Sequence, residues 1–202
     1  MSVLAIINPK SGRGAGKRLA ANVEEYAAQL NLDFKTLFTE HAGHATELAS
    51  QAAANGTDIV AACGGDGTIH EVLNGIVGTK STLAAIPLGT GNDLCRTLGY
   101  GTDWKSAVDA IAIGRTIQMD IGRIETESGS RYFHNIAGCG FDVAVAEKIN
   151  SGFKKLRGTT AYIAGVLSTF FSYRAIPMKI DIDGVSHESK VMLCAVANAI
   201  SY

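Results

Sequence analysis

The sequence predicts an α/β fold: an N-terminal, mostly parallel sheet with helices on both faces, followed by a second, mostly antiparallel β domain. Three observations carry this reading. Short apolar runs alternate with stretches at helical spacing through the first half, and parallel neighbours need such crossover connections. Gly-rich or Asn-Gly segments follow the apolar runs, and Asp or Thr precedes several helices, the punctuation of strand ends and helix starts. After Arg115 the texture changes to strand-like segments with turns such as Asp183-Gly184, a hairpin signal.

Taken in order, VLAII (3–7) predicts a first strand and KRLAANVEEYAAQL (17–30) a first helix. FKTLF (34–38), HATELASQAAA (44–54), DIVAAC (58–63), a helix from Thr68 to about Val77, and TLAAIP (82–87) continue a β-α-β-α-β-α-β order. Apolar runs without strict alternation suit strands covered on both faces. DLCRTLG (93–99) and WKSAVDAIAIG (104–114) add two helices, which closes a first domain over 1–115. The second domain, 116–202, is expected to hold antiparallel strands in MDIGRIE (119–125), GSRYFHNIA (129–137), MKIDIDG (178–184) and KVMLCAVAN (190–198). FDVAVAEKIN and KKLRGTTAYIAGVLSTFF lie between them at helical spacing. The last strand ends with no following partner for its edge, so an incomplete second domain is expected.

Composition narrows the function classes. With 202 residues, 18 basic and 19 acidic side chains and a formal charge of -1, the chain has no whole-molecule field that would attract nucleic acid. The four cysteines, Cys63, Cys95, Cys139 and Cys194, form no C-x-x-C pair, and are expected to be reduced and mostly buried. No uninterrupted apolar run reaches membrane-spanning length and no basic leader opens the chain, so a cytoplasmic location is expected. His41, His44, His70, His134 and His187 show no metal-ligand spacing, and no metal ligand set is identified.

In an open parallel sheet, ligands bind at the carboxyl ends of the strands. Three loops follow apolar runs there. The first, NPKSGRGAGK (8–17), fits neither a Walker loop nor a dinucleotide fingerprint: Ser11 stands where the first Walker glycine belongs, Arg18 follows Gly16-Lys17, and Gly12, Gly14 and Gly16 space as G-x-G-x-G. Its small residues still let backbone N–H groups approach an anion at a helix start, and Lys10, Arg13, Lys17 and Arg18 add positive charge. In the second, CGGDGTIHEVLNG (63–75), Gly64 and Gly65 permit a sharp strand exit, Gly67 a close backbone approach, and Thr68 either a cap or a phosphate contact. Asp66 is the anomaly. A carboxylate beside phosphates needs magnesium between them or a proton to accept from a hydroxyl. The third, IPLGTGNDLCR (86–96), repeats the glycine pattern; Asp93 either caps a helix or organises a site, and Asn92 orients a ligand or a loop.

Together these loops make the sequence resemble the diacylglycerol kinase catalytic-domain family, which includes bacterial soluble lipid kinases and is similar to sphingosine and ceramide kinases. The residues that carry it are N-P-K-S-G (8–12), T-E-H-A-G-H-A (39–45), G-G-D-G-T-I-H-E-V-L-N-G (64–75), P-L-G-T-G-N-D-L-C-R (87–96) and G-C-G-F-D (138–142). G-G-D-G-T alone also occurs in NAD kinases. The resemblance implies ATP-dependent phosphorylation of a lipid hydroxyl, with the second domain a β-sandwich. It implies ATP contacts from Asn8, Pro9, Lys10, Ser11 and Gly12, from Thr39, from Gly64, Gly65, Asp66, Gly67, Thr68, Ile69 and His70, and from Thr90. Asp66 is the implied catalytic residue, either organising Mg2+ and phosphates or acting as the base. Asn92 and Asp93 are the implied lipid-side residues. In bacterial members an acidic motif expected to supply the base lies beyond this chain's last residue. The expected partners are ATP, a lipid at a membrane surface and a second copy of the chain, with Lys154, Lys155 and Arg157 candidates for anionic headgroups. The rival readings are an ATP-binding module or inactive fragment lacking the C-terminal catalytic acid, and an NAD-kinase-like phosphotransferase.

Overall fold

The computed structural model describes residues 1–152, 166, 168–170 and 172–198. Its first half follows the predicted order: β1 (Ser2–Ile7), α1 (Ser11–Gln29), β2 (Asp33–Phe38), α2 (His44–Ala54), β3 (Ile59–Gly64), α3 (Asp66–Ile76), β4 (Thr82–Pro87), α4 (Asp93–Thr97) and α5 (Trp104–Ala112). The four strands form a parallel sheet in the order β2-β1-β3-β4. The order reverses between β1 and β3, because β2 lies on one side of β1 and β3 and β4 on the other. That switch point puts the ends of β1 and β3 side by side, where a crevice opens.

Helices cover both faces, and the alternation of side chains along the strands explains how. Val3, Ala5 and Ile7 of β1, with Ile59, Ala61 and Cys63 of β3, pack with Ala20, Val23 and Ala27 of α1 and with Ala107, Val108 and Ile111 of α5. The intervening Ile6, Val60 and Ala62 face α2, α3 and α4 through Ala45, Ala49, Ile69, Val72 and Leu94. Strand period and helix period each send one set of apolar residues to each core. The α2–α3 crossing is especially close: a Cβ at Gly75 would lie 2.6 Å from the Thr46 carbonyl oxygen and 2.7 Å from the Ala49 Cβ. Thr46 Oγ1 donates to the Glu71 carbonyl (2.9 Å) and Ser50 Oγ to that of Gly75 (3.2 Å).

Antiparallel strands follow: β5 (Gly122–Thr126), β6 (Gly129–Phe133), β7 (Ile136–Gly140), then α6 (Phe141–Gly152), β8 (Ile176–Ile182), β9 (Val185–Val191) and β10 (Leu193–Ala197). Pairing is β5 with β6, β8 with β9, and β10 with β7. Two expected strands are each divided in two: GSRYFHNIA at His134-Asn135, and KVMLCAVAN at Met192. The Asp183-Gly184 turn is as expected: Ile182 pairs with Val185, and both turn residues have positive φ, 49° and 83°, the two-residue hairpin geometry that matches strand twist.

The chain divides into two compact units, Met1–Asn135 with Asn198, and Ile136–Ala197. The change of sequence texture near Thr116 precedes this division. β5 and β6 remain with the first unit because Asn74 of α3 grips β6: its amide donates to the Tyr132 carbonyl (2.9 Å) and accepts the Tyr132 N–H (3.0 Å).

Cys63 and Cys95 are buried and free, as expected, but Cys139 is exposed and Cys194 half-buried. The expectation of mostly buried thiols therefore holds only in the two cores that flank the parallel sheet, where Cys63 of β3 and Cys95 of α4 lie. The stretch KKLRGTTAYIAGVLSTFF, with Lys154, Lys155 and Arg157, lies almost wholly outside the described residues. Among the described residues, no helix is long and apolar enough to cross a membrane.

Candidate functional site

The three glycine loops meet at the carboxyl ends of β1, β3 and β4. Asn8 builds the first. Its backbone N–H donates to the Cys63 carbonyl (3.0 Å), which continues the sheet one step past β1. Its side-chain oxygen accepts the Lys10 N–H (3.0 Å) and its amide donates to Thr68 Oγ1 (3.3 Å). One asparagine thus turns the first loop and ties it to the second. The α1 start is not regular helix: Gly12, Arg13 and Gly14 all take positive φ (55°, 57° and 87°), and Arg18 donates to the Arg13 carbonyl (3.3 Å) across this kink.

Contacts between loops require glycine. A Cβ at Gly12 would stand 2.3 Å from the Leu88 carbonyl oxygen, and one at Gly89 would stand 2.3 Å from the Gly65 Cα. No side chain fits between these backbones. Gly16, which the sequence alone gives no reason to rank with Gly12, is in the same position: its Cβ would lie 2.0 Å from the Asn8 carbonyl oxygen. The helix therefore approaches the first loop only because residue 16 has no side chain.

Asp66 joins the second loop to the third. One carboxylate oxygen accepts the Asn92 N–H and the other the Asp93 N–H, each at 2.8 Å. Asn92, 1% exposed and left-handed at φ 59°, closes the turn by accepting from the Gly89 N–H (3.1 Å) and donating to the Gly89 carbonyl (3.0 Å). Asp93 pairs with Arg96 at 3.3 Å. Neither carboxylate caps its own helix. Asp66 bonds across loops, and the residue preceding α4 is Asn92, whose side chain makes no cap bond.

Beside this junction is an open cleft of about 360 Å³. Asn8, Pro9, Lys10 and Ser11 line one side, Thr39 another, and Gly65, Gly67 and Thr68 the floor. Thr39 is placed there by its N–H bond to the Ile7 carbonyl (2.9 Å) at the end of β2. The remaining residues singled out from the sequence lie outside the lining. Gly12, Gly64 and Asp66 shape the loops from behind, Ile69 is fully buried in the core, and Thr90 is exposed on the third loop with Asn92 and Asp93 beside it. Sequence reasoning missed Glu40, His41, Ala42, Ala45 and Glu71 of the lining. For Glu71 a signal existed: it follows Thr68 by three, so both lie on one helix face. Its carboxylate accepts the Ala45 N–H (3.1 Å).

The site's electrostatics follow from burial. His70, half-buried, titrates below its ordinary value because burial disfavours the cation and because His134 and Arg131 repel it, against a smaller opposing pull from Glu71. Burial, helped by the Asp66 charge, pushes the Cys95 thiol up to about 12. Burial likewise raises Cys63. These thiols are inert core atoms.

A parallel sheet with helices on both faces and glycine loops at the carboxyl ends of its strands defines an open α/β fold, the class that takes its ligands at that edge. The comparisons narrow this class. Residues 2–124 match the model of the diacylglycerol kinase catalytic domain, and residues 135–202 that of the YegS C-terminal NAD kinase beta sandwich-like domain. The chain belongs to the diacylglycerol kinase catalytic-domain family. It is 36% identical over 194 residues to a diacylglycerol kinase of Bacillus subtilis, covering 95% of this chain and 63% of that protein. It is 32% identical over 203 residues to one of Mycobacterium tuberculosis, covering 99% and 65%. A solved diacylglycerol kinase structure from Bacillus anthracis superposes with a TM-score of 0.73 at 30% identity, covering 98% of this chain and 64% of that one. The chain thus spans a little under two thirds of the length of these relatives.

Proposed function

We propose that the protein is an ATP-dependent lipid kinase that transfers the γ-phosphate to a hydroxyl of diacylglycerol or a related lipid. The single observation behind this reading is the junction of the three loops, with Gly65 against Gly89 and Asp66 holding the Asn92 and Asp93 N–H groups. Phosphoryl transfer asks the protein mainly for positioning and charge stabilisation; in this reading the cleft residues Asn8 to Ser11, Gly65, Gly67 and Thr68 supply the positioning and Lys10 a positive charge. Asn8 to Gly12, Thr39, Gly64 to Thr68 and His70 with Thr90 form the ATP side in this reading, Ile69 supports them from the core, and Asn92 and Asp93 form the lipid side.

Asp66 acts here as a positioning residue. With both oxygens accepting backbone N–H groups, its charge is matched by dipoles, and it fixes the third loop against the second. Magnesium keeps several waters and takes one or two carboxylates together with substrate phosphates. The donor set fits that demand, since each oxygen of Asp66 keeps a further lone pair and Asp93 adjoins it. The ion would supply charge neutralisation on the phosphates. A second reading, nucleotide binding without transfer, draws on the same observation, because an Asp66 so engaged is a poor candidate for the base.

One assay separates the readings. Radiolabelled ATP is supplied with vesicles containing diacylglycerol, phosphatidylglycerol or sphingosine, and separately with NAD, to this chain and to a version extended to the length of its relatives. Label in a lipid supports the kinase, and the lipid that takes it names the substrate. ATP binding by both versions with no label transferred sinks it in favour of the binding module, and label in NAD alone gives the other phosphotransferase.

A further inference from the structure

The second unit brings together two cysteines that are far apart in sequence. β7 and β10 run antiparallel, and their register sets Cys139 directly opposite Cys194. Directly opposed residues of such a ladder carry their side chains on the same face. Both thiols are free, Cys139 exposed and Cys194 half-buried, and Val196, on the same face, is 61% exposed.

The register also fixes which kind of pair this is. The Phe141 N–H donates to the Met192 carbonyl at 2.8 Å, which makes the next opposed pair in the same register a hydrogen-bonded one. Because the two kinds of pair alternate, Cys139 and Cys194, two steps along, are hydrogen-bonded again. Cα atoms of such a pair lie about 5.5 Å apart, at the commonest separation for a disulfide. Their Cβ atoms, at about 4.5–5.5 Å, must close to roughly 3.5–4.5 Å before a bond forms. The bond is therefore reachable by a local contraction of the ladder, and the strain it keeps makes it easy to reduce.

We propose that Cys139 and Cys194 are a redox-active dithiol that closes to a cross-strand disulfide by exchange with a small disulfide such as oxidised glutathione. The more exposed Cys139, as its thiolate, attacks one sulfur of the small disulfide, releasing one glutathione thiolate and leaving a mixed disulfide on Cys139. Cys194 then loses its proton to solvent and attacks the Cys139 sulfur, releasing the second glutathione. Two protein thiols are oxidised and one small disulfide is reduced to two thiols. The product staples β7 to β10 across residues 140–193. Cys63 and Cys95 take no part, being 0% exposed in the parallel-sheet core.

The test equilibrates the native protein in glutathione buffers of stepped oxidation, quenches with N-ethylmaleimide, and reads intact mass and linked peptides. Expected is a loss of about 2 Da, with one linked peptide pair joining Cys139 to Cys194, reversed by excess reduced glutathione. Cys139→Ser and Cys194→Ser should each instead accumulate one glutathione on the remaining partner, while Cys63 and Cys95 stay unmodified until denaturant is added. A wild-type protein whose Cys139 and Cys194 remain separately alkylated, or carry one glutathione each with no linked peptides, overturns the proposal. So does a link that includes Cys63 or Cys95.

Discussion

Asp66 illustrates how one side chain sets a site's geometry. Its two bonds to the Asn92 and Asp93 N–H groups are charge-assisted, and each such bond contributes about 1.5–3 kcal/mol. Asp66→Asn keeps an acceptor for one N–H and turns a donor toward the other, so the third loop should loosen while both cores stay intact. We expect an unchanged circular dichroism spectrum and turnover reduced at least tenfold in the extended enzyme; unchanged lipid kinase activity would remove Asp66 from the mechanism. Gly16→Ala should act from the other side, pushing a methyl group into the Asn8 carbonyl. The strain is about 1–3 kcal/mol, visible as a lower Tm together with weaker ATP binding by calorimetry. His70 gives a pH dependence. Its pKa in the folded protein is depressed, first by burial and then by His134 and Arg131, with Glu71 opposing, so the unfolded chain binds the proton more readily. Its contribution is fully present above about pH 6.5 and is lost as pH falls through the lowered folded value. Urea titrations across that window should show wild-type stability declining on acidification, and His70→Gln should flatten the decline. A decline of equal size in the variant would assign it to other groups.

At the scale of elements, the two helix-covered faces differ in how closely they are packed. α1 and α5 meet partly through larger groups: Tyr26 donates to Asp109 (2.8 Å) and stands edge-on to Trp104 at 5.8 Å between ring centroids. α2 and α3 instead meet at Gly75, Ala49 and the Thr46 carbonyl, backbone against backbone. This contact holds α3, and with it Thr68 and Glu71, against the loop that carries Thr39. Gly75→Leu should therefore wedge the helices apart at a cost of about 1–3 kcal/mol, lowering Tm by several degrees, with ATP binding lost in parallel because Glu71 no longer meets the Ala45 N–H. A stable Gly75→Leu protein with unchanged ATP affinity would show that the crossing does not position the cleft. The β8–β9 hairpin is specified differently, by local chemistry alone: positive φ at Asp183 and Gly184 suits those two residues and few others.

At the scale of the whole molecule, both hydrophobic cores and the entire cleft lie in the first compact unit. A fragment of residues 1–135 should accordingly fold and bind ATP with an affinity close to that of the 202-residue chain, measured by calorimetry; an unfolded or non-binding fragment would mean that the remaining residues are needed to complete the unit. The sequence by itself determined the order of strands and helices along the first half of the chain, because apolar periodicity and glycine punctuation are local, and it determined which three loops belong together, because their motifs are contiguous strings. It also placed the Asp183-Gly184 turn. Only the tertiary structure decided what Asp66 touches, since its partners Asn92 and Asp93 are brought to it by the β3–β4 pairing. The same holds for Gly16, which matters through an approach to Asn8 that no local pattern encodes, and for the partner of Glu71, whose place on the Thr68 face is local but whose bond to the Ala45 N–H is not. It holds for Cys139 and Cys194, which antiparallel register alone makes neighbours. Local spacing fixes what a segment is; which backbones meet depends on how strands from distant parts of the chain share hydrogen bonds.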